Sequence, residues 1–186
     1  MKRAGCRRPR RYSVIDGTAG TARDPHAVDQ VLDLGELRVV TRDSPTAYVD
    51  SPDGPSGPEY DLVRAFADDL GVDLVIETVQ SVSEVLPHLI EGKAHMAAAG
   101  LSTTPSRRDY VSFGHPYEMV DMHLVYKLGT GKPRTMEDVI GRPIEVVAGT
   151  SHVDMLMNLK EIYPELEWTE NADVEVADLL AKVKNK

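Results

Sequence analysis

Three short β-forming runs separated by two amphipathic helical stretches constrain this chain more than any other feature. Leu37 to Thr41 follows Gly35 and is rich in β-branched residues, and Asp73 to Val79 and Met96 to Gly100 are the second and third runs. Between the first two, Leu62, Val63, Phe66 and Leu70 recur at helical spacing over Asp61 to Leu70, and Gly71 stops the helix. Between the second and third, Ser83 is expected to cap a helix that turns Val85, Leu86, Leu89 and Ile90 inward, ending at Gly92. Pro87 is placed in its first turn, where a missing N–H costs little. The alternation predicts a right-handed, mainly parallel α/β sheet, whose ligands sit outside the strands' carboxyl ends.

The third run ends in Gly100-Leu101-Ser102-Thr103-Thr104-Pro105-Ser106-Arg107-Arg108. Thr104 before Pro105 is a helix start, a hydroxyl N-cap with proline at the first helical position. Open N–H groups, the hydroxyls of Ser102, Thr103 and Thr104 and the Arg107 guanidinium would converge there, a combination suited to a carboxylate or another small anion. The plainer alternative is a capped surface turn with a solvated arginine. A second unit repeats the logic: Pro143 to Ala148 is expected as a strand, Gly149-Thr150-Ser151-His152 as a hydroxyl-bearing turn and Val153 to Ile162 as a helix.

Around these units, Ala27 to Leu34 is expected as a short helix and Asp43 to Gly57 as a loop with a hairpin-like tip that carries Tyr48. Phe113 to Tyr117 reads as a connector and Met119 to Tyr126 as a further strand. Leu128 to Pro133 reads as a linker, Thr135 to Val139 as a short capped helix, Leu166 to Thr169 as a strand and Val174 to Val183 as a final helix. The domain plan is therefore a basic, disordered leader over 1–34, lobe one over 35–127, a hinge over 128–134 and lobe two over 135–186.

Charge narrows the partners. The 186 residues carry a formal net charge of −9, although Lys2, Arg3, Arg7, Arg8, Arg10 and Arg11 crowd an N-terminus free of acids. The acidic remainder offers no basic surface for nucleic acid, and the head reads as a short tail rather than a lipid or nucleic-acid contact. Cys6 is the one cysteine, so no intrachain disulfide forms. Ala4-Gly5-Cys6 has the form of a lipoprotein cleavage site without the apolar segment that should precede it, so an anchor would be missing or atypical, and Cys6 reads as a free thiol. No apolar run approaches the ~18–20 residues of a membrane span.

Enzymatic signatures are lacking. Gly131-Lys132 lacks the upstream glycine of a P-loop, no Gly-x-Ser-x-Gly elbow occurs, and the six histidines show no ligand pair beside an acid. Asp121 and His123 fall on one side of the expected strand as surface residues. No metal site, cofactor or catalytic residue is expected, and no acid is singled out for glycosidic cleavage.

Gly57-Pro58-Glu59-Tyr60-Asp61-Leu62, the loop from Gly100 to Arg107, and the run from Thr135 to Ser151 resemble the corresponding motifs of family 3 type II periplasmic solute-binding proteins. Pro58 departs from that group's usual aromatic. A narrower resemblance is to the solute-binding-like domain of the membrane-bound lytic murein transglycosylase F family. It rests on Glu36 to Pro45, Glu59 to Leu62 with Ala65-Phe66-Ala67, Ala97 to Leu101, Gly149 to Val153 and Tyr163-Pro164-Glu165-Leu166. The likeness runs from about Leu34 to the end. It implies two lobes, each with a mainly parallel sheet, truncated before the return to lobe one. It also implies a periplasmic, outer-membrane-attached parent enzyme whose peptidoglycan cleavage belongs to a further domain.

Carried over by position, Arg107 would grip a ligand carboxylate, Ser102 and Thr103 would add donors, Thr150 and Ser151 would donate from lobe two, His152 would neighbour the ligand and Tyr48 would wall the cleft. Each has a plainer alternative: loop packing for Tyr48, a solvated first-turn residue for His152, caps for Thr150 and Ser151, and helix-start acids for Glu59 and Asp61. The expected partner is a small polar ligand with a carboxylate, an amino acid or a muropeptide-like peptidoglycan fragment, bound by a monomer. An amino-acid receptor of a transporter and an inactive gene fragment are the alternatives.

Overall fold

A computed structural model describes residues 27–172 and 174–185. Cys6 and the basic head lie outside the described residues. The central strand is β1 (Glu36–Arg42), with β4 (Asp73–Val79) on one side and β5 (Met96–Ala97) on the other, all parallel. Val39 pairs with Ile76 and with Met96, so β1 is covered along both edges. Its side chains are buried on both faces, as a central parallel strand requires. Leu37 and Val39 pack with Val63 and Ala67 of α2 (Pro58–Leu70) and with Val31 of α1 (Ala27–Leu34). Val40 packs with Val85 of α3 (Val82–Ile90), Ala94 and Ala99 on the opposite face. Residues 27–34, read from sequence within the leader, thus contribute Val31 to the core of lobe one.

The order β4-β1-β5 makes the chain leave β1 for one side and return to the other. The crevice beyond the carboxyl ends of β1 and β5 is the switch point of such a sheet. The Thr41 hydroxyl donates to the Ala98 carbonyl and ties these ends together. The expected hairpin tip forms as β2 (Val49–Ser51) against β3 (Gly54–Ser56). Gly57 then joins it to α2 with φ 137°, where a Cβ would lie 2.3 Å from the Ala47 carbonyl oxygen. Only glycine lets the entry to α2 pass so close to the Ala47 backbone ahead of the hairpin.

Two helix starts differ from expectation. α2 begins at Pro58 rather than Asp61, and Ser81, not Ser83, precedes α3. The Glu84 carboxylate reaches back to the Gln80 N–H at 3.2 Å and the Ser81 hydroxyl at 3.2 Å, which fixes the earlier start. Pro87 is consequently inside α3 rather than in its first turn, at the cost of one helical hydrogen bond.

Lobe two is smaller. β6 (Glu145–Val147) and β7 (Thr169–Asn171) pair in parallel, flanked by α5 (Ser151–Ile162) and α6 (Val176–Asn185). Its core is Val139, Leu156 and Leu166, with Ile144, Val146 and Trp168 against it. Residues 135–139 form a turn instead of the expected helix: Val139 and Ile140 N–H both donate to Met136, and the Asp138 carboxylate accepts from Arg134 and Thr135 N–H.

Met119 to Tyr126 forms no strand, contrary to its apolar pattern. Met119 is 90% exposed and Val120 65% exposed, and no ladder partner lies beside them among the described residues. Apolar composition favours a strand only where a neighbour takes up its N–H and C=O groups.

Candidate functional site

The loop after β5 turns into α4 (Pro105–Arg108), with the Thr104 hydroxyl accepting from the Arg107 N–H at 3.4 Å, as its N-cap chemistry predicts. Arg107 is only 6% exposed and crosses from lobe one to lobe two. Its Nη1 donates to the Ser102 carbonyl at 3.0 Å, its Nη2 to the Gly149 carbonyl at 2.9 Å, and its Nε lies 3.2 Å from Asp154 Oδ2. Burial lowers the guanidinium below its ordinary value and Asp154 opposes that shift. The arginine stays cationic at neutral pH.

The Arg107 guanidinium is thus buried in an ion pair internal to the chain, with Asp154 of α5. Asp154 also accepts from the Thr104 hydroxyl at 3.0 Å and from the Ser106 hydroxyl at 3.1 Å. Ser102 contributes its carbonyl as an acceptor, Thr103 is exposed, and the hydroxyl donors are Thr104 and Ser106.

On the opposing lobe, Gly149 to Asp154 faces the α4 loop, so the two hydroxyl-bearing turns do meet. The Thr150 hydroxyl is turned inward, donating to the Val147 carbonyl at 2.8 Å. Ser151 is buried at the start of α5, and His152 Nδ1 lies 3.3 Å from the Thr150 hydroxyl oxygen. Gly149 touches α3 of lobe one: with φ +71°, an added Cβ would lie 2.6 Å from Ser83 Cα. Tyr48 is buried in lobe one, edge-on to Tyr60 at 5.8 Å between ring centres.

Three residues carry roles the sequence did not disclose. Asp154 reads in sequence as an ordinary first-turn acid of α5. Glu59, 5% exposed, accepts from the Gly100 N–H at 2.7 Å and from the Tyr117 hydroxyl, pinning both ends of the 100–117 segment. Partial desolvation of the phenol, although the Tyr117 side chain is largely exposed, then the hydrogen bond to Glu59 and its charge, push the Tyr117 phenol up. Glu175 pairs with Arg42 at 2.7 Å, a second link between the lobes at the carboxyl end of β1. Near these strand ends Arg42 Nε and Asn171 Nδ2 are buried donors with no protein acceptor. No group of three or more His, Cys, Asp or Glu able to hold a metal ion occurs among the described residues.

Two lobes, each built on a parallel sheet, are also the architecture of known proteins. Residues 37–185 match the model of bacterial extracellular solute-binding proteins, family 3. The chain belongs to that family. Its relatives include the membrane-bound lytic murein transglycosylase F of Saccharophagus degradans, 37% identical over 174 residues, covering 94% of this chain and 35% of the relative. The protein of the same name from Pseudomonas fluorescens Pf-5 is 42% identical over 160 residues, covering 86% of this chain and 33% of its own. The family 3 chain described here thus spans about a third of the length of these relatives.

Among solved structures, an amino acid ABC transporter substrate-binding protein from Streptococcus pneumoniae bound to L-arginine superposes with a TM-score of 0.66 at 28% identity. The superposition covers 84% of this chain and 65% of that one. An ancestral arginine-binding protein bound to arginine gives a TM-score of 0.65 at 24% identity, covering 80% and 65%, and supports the fold. The type II periplasmic binding-protein architecture expected from sequence is the one observed, as part of a domain. No helix among the described residues is long and apolar enough to cross a membrane.

Proposed function

We propose that this chain is the non-catalytic solute-binding domain of a peptidoglycan lytic transglycosylase on the periplasmic side of the outer membrane. It takes a small polar ligand with a carboxylate, an amino acid or a muropeptide-like fragment, between its lobes. Closure about residues 128–134 then signals to the cleaving domain. The observation that supports this reading best is the position of Arg107. A buried guanidinium at the switch point of lobe one, flanked by the Thr104 and Ser106 hydroxyls and facing the turn at Gly149 to Ser151, already holds a carboxylate. In this reading Arg107, Thr104 and Ser106 take the ligand's acid group, with the backbone at Ser102, Thr103, Thr150 and Ser151 and the His152 ring around it. Tyr48 supports the cleft from behind through Tyr60.

The relatives named as membrane-bound lytic transglycosylases favour the enzyme-associated role over a free receptor. The arginine-bound solved structures favour the second reading, an amino-acid receptor of a transporter. Calorimetry with the twenty amino acids and a set of peptidoglycan stem peptides tests both. Saturable heat with muropeptides supports the first reading and with amino acids alone the second. No heat with any carboxylate refutes ligand binding by this chain.

A further inference from the structure

The carboxylate in the α4 site belongs to the chain itself, and it comes from the other lobe. Asp154 is the fourth residue of α5, and its two oxygens are divided among three lobe-one donors. Oδ2 takes Thr104 Oγ1 and Arg107 Nε, and Oδ1 takes Ser106 Oγ. The two remaining nitrogens of Arg107 are held by the Ser102 and Gly149 carbonyls. Three of the five guanidinium N–H groups are thus taken, and the Nε edge that a side-on carboxylate would use is held by Asp154.

We propose that Asp154 is an internal occupant of the ligand-carboxylate site: it latches lobe two onto lobe one in the empty protein, and a carboxylate ligand enters only by displacing it. The latch follows from burial. If the lobes part, Arg107 exchanges both Asp154 and the Gly149 carbonyl for water and keeps only the Ser102 carbonyl, so the closed state is favoured by charge-assisted bonds made in a largely dry seam. The second cross-lobe pair, Arg42 with Glu175, is weaker by the same measure, because the Glu175 side chain is 54% exposed and that of Asp154 only 22%. Two properties result. The empty domain rests closed, and Asp154 sets a threshold that selects ligands whose acid group is accompanied by enough other contacts to replace the internal one. The displacement half rests on the proposed carboxylate ligand, whereas the latch half does not.

The test uses the 186-residue chain with Cys6→Ser and spin labels at two exposed positions, Asp61→Cys on lobe one and Asn158→Cys on lobe two. Pulsed dipolar spectroscopy gives the distance between them without ligand, and calorimetry with acetate and L-arginine gives affinity. Asp154→Asn and Asp154→Ala are compared with Glu175→Gln, with Trp168 emission checking that lobe two is folded. The expected result is one narrow distance in the parent, a longer or broader one in both Asp154 variants, and a smaller change in Glu175→Gln. A carboxylate probe should bind the Asp154 variants at least about tenfold more tightly, about 1.4 kcal/mol. An unchanged distance in both folded Asp154 variants overturns the latch. A longer distance with unchanged affinity overturns the displacement. A longer distance with no probe bound by any variant leaves the latch standing and refutes the carboxylate-ligand reading instead.

Discussion

Arg107 and Asp154 should be thermodynamically coupled, and the size of the coupling follows from their surroundings. At 3.2 Å the raw attraction is about 5 kcal/mol at an effective dielectric of about 20. Taking the arginine out of water offsets much of this, and the side chain of Asp154 is still 22% exposed, so solvent screens the pair from one side. A net coupling of about 2 kcal/mol is left, near the upper part of the usual range for contacting residues. Arg107→Ala alone should cost more, about 3 kcal/mol, because Asp154 then faces only two hydroxyls and the Ser102 and Gly149 carbonyls lose their donor. For a chain of this length that corresponds to a fall in Tm of roughly 6–12 °C. The assay is a double-mutant cycle of Arg107→Ala, Asp154→Ala and the double variant, followed by thermal and urea unfolding. Additive losses, with a coupling below about 0.5 kcal/mol, would refute the reasoning and reduce the pair to an ordinary surface contact.

Gly149→Ala should separate the lobes without touching a charge, because its Cβ would collide with Ser83 at 2.6 Å and its φ of +71° disfavours any side chain. A loss of about 1–2 kcal/mol from the backbone alone is expected, read as a lower Tm, and an interlobe distance equal to the parent's would contradict the close contact. Leu166→Ala removes the fully buried centre of the lobe-two core and should cost about 2–5 kcal/mol. Because Trp168 is the sole tryptophan and packs on that core, its emission should report an early transition while α2 and α3 keep their circular dichroism. The Tyr117 phenol should ionise well after an ordinary tyrosine at 10.0, and Glu59→Gln should bring its absorbance titration down. Since folding favours the protonated phenol, its contribution to stability is complete below pH 10.0 and is lost as the pH rises through the raised folded value. A titration indifferent to Glu59→Gln would remove that contact from the site.

The alternation of strand and helix in lobe one was legible because each element there carries its own period and its own stop. Ala27–Leu34 forms where its apolar spacing placed it, and β4 spans Asp73–Val79 as its β-branched run indicated. The Thr104-Pro105 cap was also a local property, readable from adjacent residues. Met119 to Tyr126 shows where such reading ends: apolarity is written in the residues, whereas a ladder requires a neighbour that residue order alone does not place. α2 and α3 begin before their apolar stripes for a related reason, since Pro58 is preset for a first helical position and Glu84 caps a backbone N–H outside the stripe.

The partner of Arg107 was decided only by tertiary structure. Asp154, like Glu59, stands in the first turn of a helix, where any acid is favoured by the helix dipole and so carries no mark of a further task. Short-range periodicity determines which groups each turn exposes. Charges 47 positions apart, in Arg107 and Asp154, meet only when two separately packed cores bring their helix ends together, and that meeting depends on shape rather than on composition.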